Sequence, residues 1–522
     1  MNRSLNSVVL SAMLLALAGS SSVAAPDGYA IYREPAQGWS AKVPADWSSV
    51  VLGPEFVRGD PLRDPTRLLL RTCRGCTPAA ALRELAADTG LRAAAAQPAR
   101  AGKLLRWRRY RGRDEARPAL AVDLAVARKR GDTELVALVS RPAERDALVR
   151  TALLPALDSF APGAPERPRS VLAGATRDPA YWPTAGWRRA AAASQGVDAG
   201  RLKAMVATIR SARLPIDSVT VIRHGYVVLD ATFGRFAAGR LAGPFASGRL
   251  HELQSVTKSV SSILLGMALH GKAAGGVSVK TTLVRLAAAA HYRPRHTDAR
   301  KRAITLEDLL TMQAGFAWRE SGYAYEPGSG NDVIAMLGSR NWTKYVVDRP
   351  MAARPGTTFV YNSGAAHLVS GAVTLLTGRP ASSFARRQLF APLGIRASRW
   401  ASAPEGVSAG GFGLLLRPRD LAKLAYLYLH LGRWDGRQIV PAAWTRSSTT
   451  DQVADQAYDY GYLWWLDSAD GYAYMAGLYG QLAAVVPGKD IVVVITSHFP
   501  ASVDSTAVTR WLLESSILPA AG

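Results

Sequence analysis

Ser255 and Lys258 stand three residues apart in His251-Glu-Leu-Gln-Ser255-Val-Thr-Lys258-Ser-Val-Ser-Ser-Ile-Leu-Leu-Gly266. A serine hydroxyl is a poor nucleophile until a neighbouring base takes its proton. A lysine supplies that base where burial or nearby positive charge lowers its pKa. The apolar residues Val260, Ile263, Leu264, Met267 and Leu269 recur at helical spacing. On such a helix positions i and i+3 share a face, so the ammonium reaches the hydroxyl. Ser255 would sit near the helix start, where the macrodipole favours developing negative charge. Ser-x-x-Lys alone equally describes a surface lysine on an amphipathic helix, so the rest of the chain must decide.

Three other patterns carry chemistry in principle. Cys73 and Cys76 form Cys-Arg-Gly-Cys, which in an exported chain reads as a local disulfide. Thr77-Pro78 looks like N-cap and first turn of a following helix. Both cysteines then precede that helix, outside the turn whose dipole lowers a thiol pKa, and this favours a structural pair over a redox one. Gly406-Val-Ser408-Ala-Gly410 matches the nucleophile elbow, but Pro404 before it and Gly411-Phe-Gly413 after it are the wrong context for a strand–turn–helix. The eight histidines include no His-Glu-x-x-His, and His291 with His296 reads as a solvated loop, so neither a metal nor a cofactor is expected.

A chain of 522 residues is expected to hold two or three domains. Residues 1–25 read as a cleavable signal peptide: Arg3, an apolar run from Val8 to Ala18, and the small residues Ser22-Val-Ala-Ala25. That run is too short to span a bilayer, no other stretch is long enough, and the expected location is the periplasm or outside the cell. The net charge of +24 has two readings, attraction to anionic polymers or an arginine- and alanine-rich composition. The basic residues are scattered apart from Arg106-Trp-Arg-Arg-Tyr-Arg111, which reads as an edge strand. No nucleic-acid motif accompanies it. The expected partner is a small molecule, with at most a weak contact to anionic cell-envelope polymers.

Residues 26–160 read as a small α+β domain, with strands at Arg67–Arg71, Ala121–Ala127 and Glu134–Ser140, a helix over Ala79–Thr89 ended by Gly90, and a closing helix over Arg141–Leu154. Residues 161–185, rich in proline, read as a linker. Residues 186–522 form the second unit. Its pattern predicts helices over Val197–Ser211, Ile304–Leu310, Ala365–Leu376, Arg417–Leu429 and Val508–Leu518, and a hairpin around His224-Gly225. Strands are expected over Tyr460–Leu466, Gly480–Val486 and Asp490–Ser497. Strands at both ends and helices between them fit an antiparallel sheet flanked by helices with an all-α insert.

Two further boxes follow Ser255-Val-Thr-Lys258 in order: Tyr361-Asn-Ser363 and Gly477-Leu-Tyr-Gly-Gln481. With them, residues 186–522 resemble the serine β-lactamase-related hydrolases, a family that includes class C β-lactamases, D-alanyl-D-alanine peptidases, family VIII esterases and 6-aminohexanoate-dimer hydrolases. Supporting stretches are Leu309-Leu-Thr-Met-Gln-Ala-Gly-Phe316, Leu389-Phe-Ala-Pro-Leu-Gly-Ile395 and Tyr462-Leu-Trp-Trp465. The resemblance implies that Ser255 forms an acyl-enzyme and that Lys258 and Tyr361 share the proton work. It implies an oxyanion hole from the N–H groups of Ser255 and Gln481 beside Gly480, with Ser363 orienting Lys258 or the substrate. Two departures matter. The second box has Ser363, not Asn, at its third position, and Leu478-Tyr479 stand where β-lactamases have Lys and Thr or Ser to meet a substrate carboxylate. A neutral ester or short amide is therefore the expected substrate. The alternatives are a penicillin-binding, D-Ala-D-Ala peptidase-type enzyme and a weakly active or inactive binding protein on the same fold.

Overall fold

The computed structural model describes residues 28–34, 39–49, 55–58, 64–73, 75–115, 117–129, 131–162, 170–172, 178–233, 248–271, 275–453, 459–501 and 503–522. The signal peptide expected over 1–25 lies outside them. Two compact units divide near Pro168, the second comprising Arg169–Val453 and Tyr460–Gly522.

In the first unit a seven-stranded antiparallel sheet runs in the order Trp47–Ser49, Glu55–Arg58, Arg67–Cys73, Asp132–Ser140, Ala121–Lys129, Arg106–Asp114, Leu91–Ala101. The helix Pro78–Thr89 packs Leu85 against Leu69, Leu91, Val122 and Leu124 on one face. Helical turns between Pro142 and Ser159 bring Leu148, Leu153 and Leu157 to the other, around Trp39, Trp107 and Phe160. Thr77 caps the first helix through Ala80 N at 3.3 Å, Pro78 occupies its first turn, and Gly90 closes it in the left-handed region. Cys73 and Cys76 are disulfide-bonded.

One strand here departs from expectation. Leu91–Ala101, to which the sequence pattern assigns no element, forms an edge strand paired to Arg106–Asp114. Its Pro98 falls where the register slips between Gln97 and Arg100, the kind of edge bulge that tolerates a residue with no N–H. The basic run 106–111 is the partner of that edge strand.

The linker expected over 161–185 is shorter than its composition suggests. Ala161–Pro162 pair with Trp39 and Ser40 in a three-stranded sheet. Farther on, the Tyr181 hydroxyl donates to Gly225 O at 2.7 Å, and the Trp182 ring packs against Tyr426, His430 and Trp434 in the second unit. Aromatic rings set between the prolines give this segment something to bury. Residues 163–169 and 173–177 of that stretch lie outside the described residues.

In the second unit, helix α1 (Ala199–Ser211) precedes strands β1 (Ile216–Arg223) and β2 (Tyr226–Thr232). The two-residue turn between them places His224 at φ 49° and Gly225 at φ 81°, the left-handed pair that tight hairpins require. Helices α2 (Val256–Leu269), α3 (Ser363–Thr377) and α4 (Pro418–Leu429) follow. Strands β3 (Trp465–Asp467), β4 (Tyr472–Gly477), β5 (Gln481–Val486) and β6 (Ile491–Ser497) and helix α5 (Ser505–Leu512) end the chain. The sheet order is β2-β1-β6-β5-β4-β3, antiparallel throughout. The architecture is therefore the expected α+β one, with helices against an antiparallel sheet and a helical region between α2 and α4.

Helix α2 is buried on nearly all sides, as suits the central helix of a large core. Two of its buried serines are satisfied there: Ser259 Oγ donates to Leu463 O at 2.6 Å and Ser261 Oγ to Gly410 O at 2.8 Å. Gly266 lets α2 meet Trp444, because a Cβ at that position would lie 2.3 Å from the indole ring. Helix α3, capped by the Asn362 side chain through Ala365 N at 2.8 Å, packs along α2.

Candidate active site

The first turn of α2 sets Ser255 at its N-cap position, and the preceding Gln254 is held at φ 51°. One turn on, the Lys258 side chain is only 2% exposed. Its Nζ donates to Ser255 Oγ at 2.9 Å, to Ser363 Oγ at 2.8 Å and to Gly411 O at 2.9 Å. A lysine ammonium has three donors and no acceptor, so these contacts account for all of them. A buried lysine head group with every donor satisfied is no solvated surface charge.

Tyr361 approaches the same ammonium. Lys258 Nζ lies 4.6 Å from the centroid of its ring, and the ring stacks on Trp465 at 5.9 Å and 23°. The Tyr361 hydroxyl makes no hydrogen bond among the described residues. In free enzymes, hydrogen bonds that serve catalysis are often long or unmade and close only when substrate binds.

Ser363 heads α3 and is buried. Its Oγ donates to Glu320 Oε1 at 2.5 Å and its N–H to Glu320 Oε2 at 2.7 Å. Glu320 is 3% exposed and also accepts from Trp318 Nε1 at 2.8 Å and from the Tyr325 hydroxyl at 3.0 Å. Burial, helped by the Glu320 charge, holds the Tyr325 hydroxyl well above the ordinary tyrosine range, which keeps it a donor. Glu320 is the residue that sequence reasoning missed. The signal available was an acid set among Trp318, Tyr323 and Tyr325 directly after the Ala-Gly-Phe stretch.

The third box is the turn joining β4 to β5. Gly477 lies against the nucleophile: a Cβ there would come within 2.4 Å of Leu253 O and 3.1 Å of Ser255 N. Gly480, at φ 88°, instead faces Ser497, Phe499 and Ser505. The Gln481 side chain is buried and donates to Ser497 O at 2.6 Å, while the single Ser497 hydroxyl proton faces the carbonyls of Tyr479 and Gly480, each 2.7 Å from Oγ. So Gly477 is the close-approach glycine, and Gly480 and Gln481 tie the turn to β6. Ser408 stands apart from this constellation. It is fully buried, its Oγ accepts from Ser382 N at 3.0 Å, and among the described residues no basic side chain hydrogen-bonds to it.

The sequence profile of the β-lactamase family matches residues 195–515, and this protein belongs to that family of hydrolases. Among solved structures, one described as a 6-aminohexanoate-dimer hydrolase from Bacillus anthracis is 17% identical over 63% of this chain and 87% of that one, with a TM-score of 0.50. The penicillin-binding protein homologue from Pyrococcus abyssi is 20% identical over 60% and 77%, TM-score 0.46. Simvastatin synthase (LovD) from Aspergillus terreus is 15% identical over 61% and 98%, TM-score 0.47. The first of these likenesses shows the shared fold. No curated protein matches this chain. Among the described residues no helix is long and apolar enough to cross a membrane.

Proposed function

We propose that the protein is an exported serine hydrolase that cleaves a neutral ester or short amide through an acyl-enzyme on Ser255. The observation that carries this reading is the contact of buried Lys258 Nζ with Ser255 Oγ at 2.9 Å. Ser255 Oγ attacks the acyl carbon while its proton passes to the Lys258–Tyr361 pair. The carbonyl oxygen takes up the negative charge and is met by the Ser255 N–H at the head of α2 and by the turn Gly477–Gln481. Collapse breaks the bond to the leaving alcohol or amine, which takes the proton back from the same pair. Water then attacks the ester on Ser255, gives a proton to that pair, and releases the acid and the free serine.

The substrate class follows from what the third box lacks. Leu478 and Tyr479 offer no cation to a substrate carboxylate, and the wall beside Tyr361 is aromatic, with Trp465 stacked on it. Covalent labelling with a fluorophosphonate, followed by peptide mapping, tests the reading. A label on Ser255 that vanishes in Ser255→Ala supports it and justifies a screen of neutral esters and short amides. A label on Ser408, or none at all, overturns it, and the second outcome favours a binding protein on the same fold.

A further inference from the structure

Ser363 brings a difficulty that an asparagine at its position would not. An amide oxygen can only accept a hydrogen bond, whereas a serine hydroxyl both donates and accepts and rotates to suit. Beside a lysine that must act as a base, that freedom is a fault. Neutral lysine has two N–H donors and one lone pair. If the Ser363 hydroxyl turned its proton towards Lys258, it would occupy the lone pair that Ser255 needs.

The structure removes that choice. Ser363 Oγ lies 2.5 Å from Glu320 Oε1 and 2.8 Å from Lys258 Nζ. Its single proton goes to the carboxylate, which leaves only a lone pair for the lysine. Gly411 O, the third partner of Nζ at 2.9 Å, has no proton to give. Of these three contacts, only the Ser255 hydroxyl is able to donate to neutral Lys258. Glu320 is itself held for the task. Its Oε2 accepts from Ser363 N at 2.7 Å and Trp318 Nε1 at 2.8 Å, and its Oε1 also accepts from Tyr325 at 3.0 Å. These four donors fill the carboxylate's acceptor sites and fix its rotation.

We propose that Glu320 is a positioning residue: it fixes the Ser363 hydroxyl as an acceptor and so directs the Lys258 lone pair onto Ser255. Glu320 and Ser363 together then do what an asparagine amide does alone. This inference rests on the acyl-enzyme reading above.

The test is a double-mutant cycle read by the rate of fluorophosphonate attachment to Ser255 in the full chain, across pH, with thermal unfolding measured in parallel. Glu320→Gln and Ser363→Ala should each slow labelling, by about 10- to 100-fold for a group that orients a reacting one, and each should change the shape of the pH profile. The double variant should be no slower than Ser363→Ala, because Glu320 acts only through Ser363. Additive losses with an unchanged pH profile would make Glu320 a structural residue and overturn the proposal. Ser363→Asn keeps the inference open to refutation if Glu320→Gln does not fold. The asparagine oxygen can accept from Lys258 while its NH2 group donates to Glu320, so labelling should stay within a few-fold of wild type. A loss in Ser363→Asn equal to that in Ser363→Ala would overturn the proposal. Absence of labelling in the wild type would overturn the acyl-enzyme reading itself, and this inference with it.

Discussion

Tyr361→Phe separates what the tyrosine does by its ring from what it does by its hydroxyl. The ring contacts survive the change: the stack on Trp465 at 5.9 Å and the approach of Lys258 Nζ to within 4.6 Å of the centroid. The hydroxyl holds no other part of the fold among the described residues. Stability should therefore stay within about 0.5 kcal/mol of wild type, the range for a substitution that breaks no packed or bonded feature. The acylation rate should fall by about 10²- to 10⁴-fold if the phenol carries protons. At 1.36 kcal/mol per decade this is roughly 2.7–5.4 kcal/mol on the barrier. Tyr361→Ala should show the same rate loss and should also lose stability, by about 0.5–1.5 kcal/mol for the aromatic pair and about 0.5–2 kcal/mol for the cation–ring contact. The assay is time-resolved mass spectrometry of Ser255 labelling, with urea unfolding on the same samples. A Tyr361→Phe variant that labels as fast as wild type would refute the shared proton role and leave Lys258 as the sole base.

Three other outcomes follow from the same geometry. Gly477→Ala should abolish labelling of Ser255 while the protein stays folded, because the added Cβ, 2.4 Å from Leu253 O and 3.1 Å from Ser255 N, must push the turn off the nucleophile; unchanged labelling kinetics would show that the turn has no such role. Gly266→Ala should destabilise by about 1–3 kcal/mol despite alanine's higher helix propensity, because its Cβ would fall 2.3 Å from Trp444; an equal or raised melting temperature would contradict the packing. Glu405 is half-buried, which alone would raise its pKa, but hydrogen bonds from His367 and from the Thr343 N–H and hydroxyl outweigh this and lower it from 4.5 to about 2. A carboxyl whose folded pKa is depressed stabilises above its unfolded value and loses that contribution as pH falls from about 4.5 towards 2. Wild type should therefore lose melting temperature more steeply than Glu405→Gln between pH 5 and pH 2, and parallel curves would remove Glu405 as the cause.

Ser255 and Lys258 were legible because their relation is local: three residues on a helix whose apolar repeat is plain in the sequence. The partners that hold the lysine are not of that kind. Gly411 O is a backbone group, and nothing in a glycine's identity marks its carbonyl as the acceptor for a lysine 153 residues away. Glu320 sits in Trp-Arg-Glu-Ser-Gly, where an acid beside serine and glycine reads as a solvated turn; only the tertiary fold puts it under Ser363. The third box, Gly477–Gln481, is the turn between β4 and β5, but the strand that leads into it went unread. Tyr472–Gly477 is a strand buried on both faces, so it shows no alternation. The aromatic run from Tyr460 drew the strand assignment instead, although only Trp465–Asp467 pair with β4. With β4 unseen, nothing in the sequence showed that Gly477, at its end, lies against Leu253 O and Ser255 N.

Backbone conformation adds what no pattern of residue types shows, although most of the non-glycine residues with positive φ among the described residues lie in turns away from the site. Among the non-glycine residues with positive φ, Gln254 at 51° immediately precedes Ser255, and Tyr479 at 66° lies in the third box. Leu463 at 60° presents the carbonyl that accepts from Ser259 on α2, and Met312 at 60° accepts from the N–H of Asn362, one residue before Ser363, through its sulfur at 3.3 Å. Each such residue costs about 1–3 kcal/mol and persists only where its surroundings over-determine it. Glycine would relieve the strain at any of these positions, yet it would also loosen the segments that hold Ser255, Ser363 and the turn to a fixed spacing. Strain at Gln254, next to Ser255, and at Tyr479, in the third box, fits the proposed acyl-transfer site, because positioning loosened by about 1 Å would forfeit the close contacts on which a catalytic lysine depends.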